Sequence, residues 1–337
     1  MKFEWHSALW NTRFRTGGLP QSILFTAMRG TGESAFAERV AVSRLCAQPT
    51  TNGDACGVCD DCRWFAAGTH PDFRRLDPEC AQDVQSSSID EESASGERDK
   101  KRARIQISVD EVREAADFLR LVAHRGRARV VLIHPAHTMH IAAANALLKI
   151  LEEPPPGALF LLVTSQPARL PATIRSRCIT IALPKPTASQ AAAWLHAAGL
   201  PDTELALAQV GGAPAAAASL GERYWAVREG LLPFLSGRDP SWLDAAARIG
   251  DTDLAHLVHL LQTWCWDLMS TRFHGSVRYH QDRSVELART APTIGSTELA
   301  DFARKLTGAK RLVGHPLNPK LFAEDLLMSY SHLLPKG

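Results

Sequence analysis

Residues 24–40 read LFTAMRGTGESAFAERV, and the reading of this stretch decides the fold. An apolar run, Ile23-Leu24-Phe25, leads into a Gly-rich turn, and a helix-favouring segment follows. A phosphate-binding loop of this kind needs G-x-x-x-x-G-K-[ST]: backbone N–H groups cradle the phosphates, the Lys neutralises them and the hydroxyl holds Mg²⁺. Here Ala27 stands at the first Gly, Gly32 at the second and Ser34 at the hydroxyl, while Glu33 stands at the Lys. The spacing keeps the fold element and puts a negative charge where phosphates would sit. In a partly buried setting two like unit charges about 4 Å apart repel by on the order of 4 kcal/mol. At about 1.4 kcal/mol per decade, that removes roughly three decades of affinity. Tight nucleotide binding is not expected, and the loop is read as a cavity left without its ligand.

Outward from this loop, the N-terminal half alternates apolar runs with helical patterns, as a parallel sheet with crossover helices does. Ile23–Phe25, Val130–Ile133, Leu159–Val163 and Ile179–Leu183 are the expected strands. The helix after the Gly turn is expected over 35–46. Ser108 with Glu111 makes a capping box before Val109, Val112, Ala116 and Leu119 at helical spacing. IAAANALLKILEEPPPG is an Ala/Leu-rich helix stopped by three prolines, and TIRSRC a short helix or turn. Residues 80–104, rich in Ser and charge, are read as a flexible surface insertion. Its basic end (Lys100, Lys101, Arg102, Arg104) follows interleaved Asp and Glu, which suits a solvated linker better than a nucleic-acid contact.

Strand–helix alternation stops at Pro184-Lys185-Pro186, and the rest reads as helix. Thr187 with Gln190 caps a helix through His196, further helices are expected near 202–210 and in GGAPAAAASL, and LAHLVHLLQTWCWDLM has helical spacing throughout. The expected organisation is an α/β domain over 1–184, a small helical lid domain over 185–223 and an all-helical bundle over 224–337. The apolar face of Leu257, Leu260, Leu261, Trp264 and Leu268 is assigned to a core by default, with a partner helix as the other possibility.

With 337 residues, 45% hydrophobic and 22% charged, the chain has room for two or three buried cores. A formal net charge of +2 points neither toward nor away from a polyanion. No stretch of about 18 apolar residues occurs, and MKFEWHSALWNTRF lacks the apolar core of a signal peptide, so a cytoplasmic location and no membrane contact are expected.

Seven cysteines in such a chain are not expected to form a disulfide framework. Four cluster in CAQPTTNGDACGVCDDC: Cys46, Cys56, Cys59 and Cys62. Two overlapping C-x-x-C steps put three thiolates in one short turn, and the fourth lies across a loop carrying Pro49, Asn52 and Gly53, which completes a tetrahedron for Zn²⁺. Reduced surface thiols or a redox pair are the plainer alternatives, but a redox pair needs only two. All four positions are filled by protein, so the zinc is expected to be structural. Cys80, Cys178 and Cys265 have no ligand spacing.

Taken together, the degenerate loop at 27–34, the cysteine cluster, GTHPDFRRL at 68–76, AANALLKILEEPP at 143–155 and RSRC at 175–178 resemble the AAA+ subunits of bacterial DNA polymerase III clamp loaders. The resemblance covers the first two domains; the C-terminal bundle matches in helical character and length alone. It implies an AAA+ domain with an inserted zinc module, a lid and a C-terminal collar. It also says where catalytic groups belong. The strand before the Ala/Leu helix ends in acidic residues in family members that hydrolyse ATP, one for Mg²⁺ and a Glu for the attacking water; here His134-Pro135-Ala136-His137 follows Ile133. A lid Arg after a G-x-P step is replaced by Ala215 after Gly212-Ala213-Pro214. A metal site of His134, His137 and His140 is disfavoured, because Mg²⁺ prefers oxygen ligands and surface or packing histidines are far commoner.

Lys, acidic pair and lid Arg are therefore missing at once, and no intrinsic ATPase activity is expected. Arg177, in Ser176-Arg177-Cys178, matches the family's arginine finger, which acts in trans on ATP held by a neighbouring subunit. A plain surface Arg in a salt bridge is the alternative. Thr164 falls at the family's first sensor position, with strand-end hydrogen bonding as its expected role. The resemblance implies a non-hydrolysing subunit in a hetero-oligomeric ring with gamma/tau and delta subunits, acting on the sliding clamp and on primed DNA through backbone contacts. An active gamma/tau-like ATPase is the alternative, with Glu33 and the HPAH segment against it. A free-standing zinc-dependent DNA binder is a third, disfavoured by the absence of a concentrated basic face.

Overall fold

In the computed structural model the described residues are 3–15, 18–78, 106–200, 202–239, 241–249, 254–313 and 317–334. The insertion read at 80–104, together with Cys80, lies outside them. The chain divides into two compact units, Met1–Gln190 and Ala191–Gly337.

The first unit is built on a five-stranded, all-parallel sheet in the order β2-β3-β4-β1-β5. The strands are β1 (Ser22–Thr26), β2 (Phe73–Leu76), β3 (Arg129–Ile133), β4 (Ala158–Thr164) and β5 (Ile179–Ala182). β1, β3 and β4 are near-continuous apolar runs because both of their faces are covered. The two-residue pleat sorts their side chains. Val131, Ile133, Phe160 and Leu162 pack under α4 (Val109–Arg120), α5 (Ile141–Glu152) and α6 (Ala172–Arg177). On the other face Ile23, Phe25, Val130, Leu132 and Leu161 pack against Trp10 and Phe14, in and just after α1 (Ser7–Arg13), and against Phe36 and Val40 of α2 (Glu33–Leu45).

β2 is a strand that hydrophobic patterning missed. It is an edge strand pairing with β3 alone, and two of its four residues, Arg74 and Arg75, are cations that reach neighbouring groups. The capping box of α4 is present, with Ser108 and Glu111 each bonded to the other's backbone N–H.

The order of the strands places the site. Passing from β1 to β2 the chain crosses to the far edge and returns through β3 and β4 to lie beside β1 again. Ligands of open α/β sheets bind outside the carboxyl ends of strands at such a reversal. The Gly-rich loop leaves β1 there, and Thr26 pairs in register with Thr164, the last residue of β4.

The second unit is helical in all its described elements, from α7 (Ala188–Ala197), which bridges the boundary, to α15 (Pro319–Ser331). A small core joins Ala191, Leu195, Ala206, Leu207 and Ala217. A larger one surrounds the 21-residue α12 (Leu254–His274), whose Leu257, Leu260, Leu261, Trp264 and Leu268 are all buried within it. This face is therefore core. Within the same helix the buried Asp267 carboxylate accepts from the N–H groups of Arg278, Tyr279 and His280, fixing the following loop.

Candidate functional site: a self-filled phosphate loop and its surroundings

The loop after β1 turns at Gly30 and Gly32, both in the left-handed region (φ 80° and 88°). A Cβ on Gly32 would lie 2.3 Å from the Phe3 ring, so glycine is required on two counts there. The segment before α1 closes over the loop, with Trp5 Nε1 donating to Thr31 O at 3.0 Å.

Glu33 is the first residue of α2 and is 5% exposed. Its side chain folds back into the turn. Gly30 N–H donates to both carboxylate oxygens, at 3.0 and 3.1 Å, and Thr31 N–H donates to Oε2 at 3.0 Å. The loop is not an empty cavity, as the sequence suggested: the chain's own carboxylate takes the place of a phosphate. The physical reason is the one that makes such loops bind anions, namely free N–H groups and the positive end of a helix. An acid in the first helical turn after a Gly-rich loop is the one sequence signal for this arrangement, and from the sequence alone it reads as repulsion.

The surrounding groups form a closed polar network. Ser34 Oγ donates to Glu38 Oε1 at 3.0 Å, and Arg75 Nη1 reaches the same oxygen at 2.5 Å. Arg75 also pairs with Asp77. His134, at the end of β3, lies 4.0 Å from Glu33 Oε1. Burial holds its pKa below the ordinary value, against the opposing pull of Glu33.

His137 Nδ1 lies 2.9 Å from Thr164 Oγ1, and Gln166 N–H donates to that hydroxyl at 3.1 Å. Thr164 thus makes strand-end hydrogen bonds. His137 is lowered by burial, then by Arg169 and Arg29. His140 accepts from Ala142 N–H and caps α5. The three histidines do not converge; among the described residues the four cysteines are the one His/Cys/Asp/Glu group arranged to hold a metal ion.

Those cysteines are brought together by the end of α2, the following turn and α3 (Asp60–Ala66). Their four Sγ atoms lie within 4.8 Å of one another, with Cys46–Cys59 at 3.8 Å and Cys56–Cys62 at 3.9 Å. A tetrahedral ion with thiolate bonds of about 2.3 Å needs sulfur separations of about 3.8 Å, so the set fits such an ion. Backbone N–H groups of Val58 and Cys59 draw the Cys56 thiol down to about 6, whereas burial pushes the Cys46 and Cys62 thiols up, so a bound cation is needed to hold all four as thiolates. Arg127 clasps the module to the sheet by donating to Cys46 O and Ala47 O at 2.8 and 2.7 Å. Asp61 accepts from Arg125 Nε at 3.0 Å. The motif at 68–76 contributes Asp72, which is 1% exposed. It accepts from His124 and Arg125 N–H at 2.8 and 3.0 Å and faces Arg129 Nε at 3.4 Å.

Arg177 ends α6, well away from the cysteines in sequence. Its Nη2 lies 2.6 Å from Glu152 Oε1, and its Nη1 donates to Thr173 O at 3.1 Å. No helix among the described residues is long and apolar enough to cross a membrane.

A family model described as "DNA polymerase III, delta subunit" matches residues 4–187. The Pseudomonas aeruginosa protein called DNA polymerase III subunit delta' is 39% identical over 226 residues, 65% of this chain and 61% of that protein. The Escherichia coli K12 subunit delta' is 31% identical over 336 residues, 96% of this chain and 92% of that protein. A match to the Escherichia coli K12 subunit tau is partial: 32% identity over 163 residues, 48% of this chain and 21% of that protein. The parallel sheet, the helical C-terminal unit and the near full-length match to delta' have one reading: the chain belongs to the DNA polymerase III delta-prime family of clamp-loader subunits.

Proposed function

We propose that this chain is a non-hydrolysing, stator-like subunit of a DNA polymerase III clamp loader, and that its contribution to ATP chemistry is made in trans. The observation that carries this reading is the Glu33 carboxylate on the N–H groups of Gly30 and Thr31. A phosphate would have to displace a covalently tethered anion from a buried site, and His134 offers no carboxylate for Mg²⁺ or for an attacking water. The same observation counts against a gamma/tau-like ATPase.

In this reading Arg177 is the arginine finger, extended toward ATP held by a neighbouring gamma/tau-type subunit. Its place on the solvent side of α6, about one-third exposed, is compatible with that. Cys46, Cys56, Cys59 and Cys62 hold one structural Zn²⁺, whose role when bound is to fix a loop too short to carry its own core. Residues 185–223 act as the lid and 224–337 as the collar. The assembled ring, with gamma/tau and delta subunits, places a sliding clamp on primed DNA in the cytoplasm.

A titration of the purified chain with ATP tests the central claim. No saturable binding is expected up to millimolar nucleotide; micromolar binding overturns the reading.

A further inference from the structure

The guanidinium assigned to a neighbour's nucleotide is already held within this chain. Arg177 Nη2 meets Glu152 Oε1 at 2.6 Å while Nη1 turns back to Thr173 O, four residues earlier on its own helix. The contact is not a chance meeting of two flexible loops. Glu152 is the last residue of α5; Glu153 leaves the helical region and Pro154, Pro155 and Pro156 prevent its continuation. Leu151, one residue before Glu152, and Ile174, three before Arg177, are buried in the same core. The core therefore fixes both backbones. A carboxylate in the last turn of a helix also faces the negative end of the helix dipole, so Glu152 is poorly placed as a helix-stabilising residue and gains its favourable partner in Arg177.

We propose that Glu152 is a positioning residue that parks Arg177 and sets how readily it passes to a neighbour's phosphate. The inference rests on the finger reading given above. While the pair is closed, the carboxylate offsets much of the positive charge that a phosphate would meet. To engage, the guanidinium must exchange a carboxylate for a phosphoryl oxygen, and the released Glu152 then lies near a polyanion. Both effects oppose engagement. The side chains of Glu152 and Arg177 are 52% and 34% exposed, so the pair is weak enough to open thermally and strong enough to bias the exchange.

The test uses the reconstituted clamp loader with ATP. Glu152→Gln should raise turnover measured without clamp or DNA by about two- to fivefold, the range that a half-exposed ion pair supports. The maximal rate with clamp and primed DNA should be unchanged, and the increase should vanish in an Arg177→Ala background. An unchanged or lowered basal rate in Glu152→Gln, while Arg177→Ala depresses turnover, overturns the parking role and leaves the finger standing. If Arg177→Ala itself leaves turnover unaltered, the finger reading fails and this inference with it. A lowered rate accompanied by a lower melting temperature of the Glu152→Gln chain also overturns it, marking the contact as structural.

Discussion

The carboxylate of Glu33 sits 3.0 Å from the N–H of Gly30, bonded to a turn whose geometry otherwise serves phosphate. Glu33 is buried and tethered by its own helix, so it is present at the loop at an effective concentration that no free anion reaches. It also satisfies the N–H groups of Gly30 and Thr31 in the turn that precedes the helix.

Removing that carboxylate should convert the turn into an anion site. Glu33→Ala leaves the N–H groups of Gly30 and Thr31 without their acceptor, and bonds to a charged group contribute about 1.5–3 kcal/mol each. A loss of about 3 kcal/mol or more of stability is expected by denaturant unfolding. Inorganic phosphate at about ten times its dissociation constant should restore about 1.4 kcal/mol of it, with no such effect on the parent chain. A variant indifferent to phosphate would show that the turn does not hold its shape without Glu33.

Much of this unit was legible in the sequence, for a definite reason. β1, β3 and β4 are buried on both faces and so appear as plain apolar runs, and the cysteines announce themselves by spacing. β2 was not legible as a strand because Arg74 and Arg75 are outnumbered by no apolar pattern; their partners, the Phe118 ring and Glu38, lie far off in sequence. The charge at Glu33 was legible, but its direction was not. Whether a carboxylate repels a ligand or replaces it depends on a turn that bends the side chain back by three residues, and periodicity carries no such information. The partner of Arg177 was hidden likewise, 25 positions away in a motif read as a helix stop and as a mark of the family, with no pairing assigned to it.

Metal analysis should find about one zinc per chain. Chelation or Cys62→Ser should free the segment around 46–62 first, seen as new proteolytic cleavage there. The Arg127 bonds to Cys46 O and Ala47 O and the Arg39–Asp54 pair at 2.7 Å tie that segment to the rest of its unit, so a loss on the order of several kcal/mol should follow. A metal-free chain of unchanged stability would refute the four-thiolate site.

Acid should weaken both units before the carboxylates titrate. His6 is 2% exposed, with its pKa lowered by burial and then by Arg39 to about 4. His280 is fully buried, lowered by burial and then by Arg228 to about 3. The unfolded chain takes up these protons near pH 6.5 and the native one does not, so the stability each neutral ring allows is intact above pH 6.5. It is lost as pH falls toward those lower values. The slope is at most about 1.4 kcal/mol per pH unit per histidine. Denaturant midpoints at pH 7.5 and 5.5 should differ, and His280→Gln, uncharged throughout, should reduce the difference. An identical pH dependence in that variant would count against a buried neutral His280.

Arg177→Lys separates charge from shape at the proposed finger. A planar fork can span two phosphoryl oxygens as charge shifts onto them, whereas an ammonium offers a single, strongly hydrated point. Arginine fingers contribute about 10³–10⁵ in rate, so in the reconstituted loader both Arg177→Lys and Arg177→Ala should silence the one ATP site that this chain faces. The readout is a fall in the amplitude of the first turnover by that site's share, with the remaining sites active. Neither change should alter assembly, because the pair Arg177 breaks with Glu152 is half-exposed and worth at most about 1 kcal/mol. Full first-turnover amplitude in Arg177→Lys would mean that charge alone suffices, and full amplitude in Arg177→Ala would remove Arg177 from the chemistry.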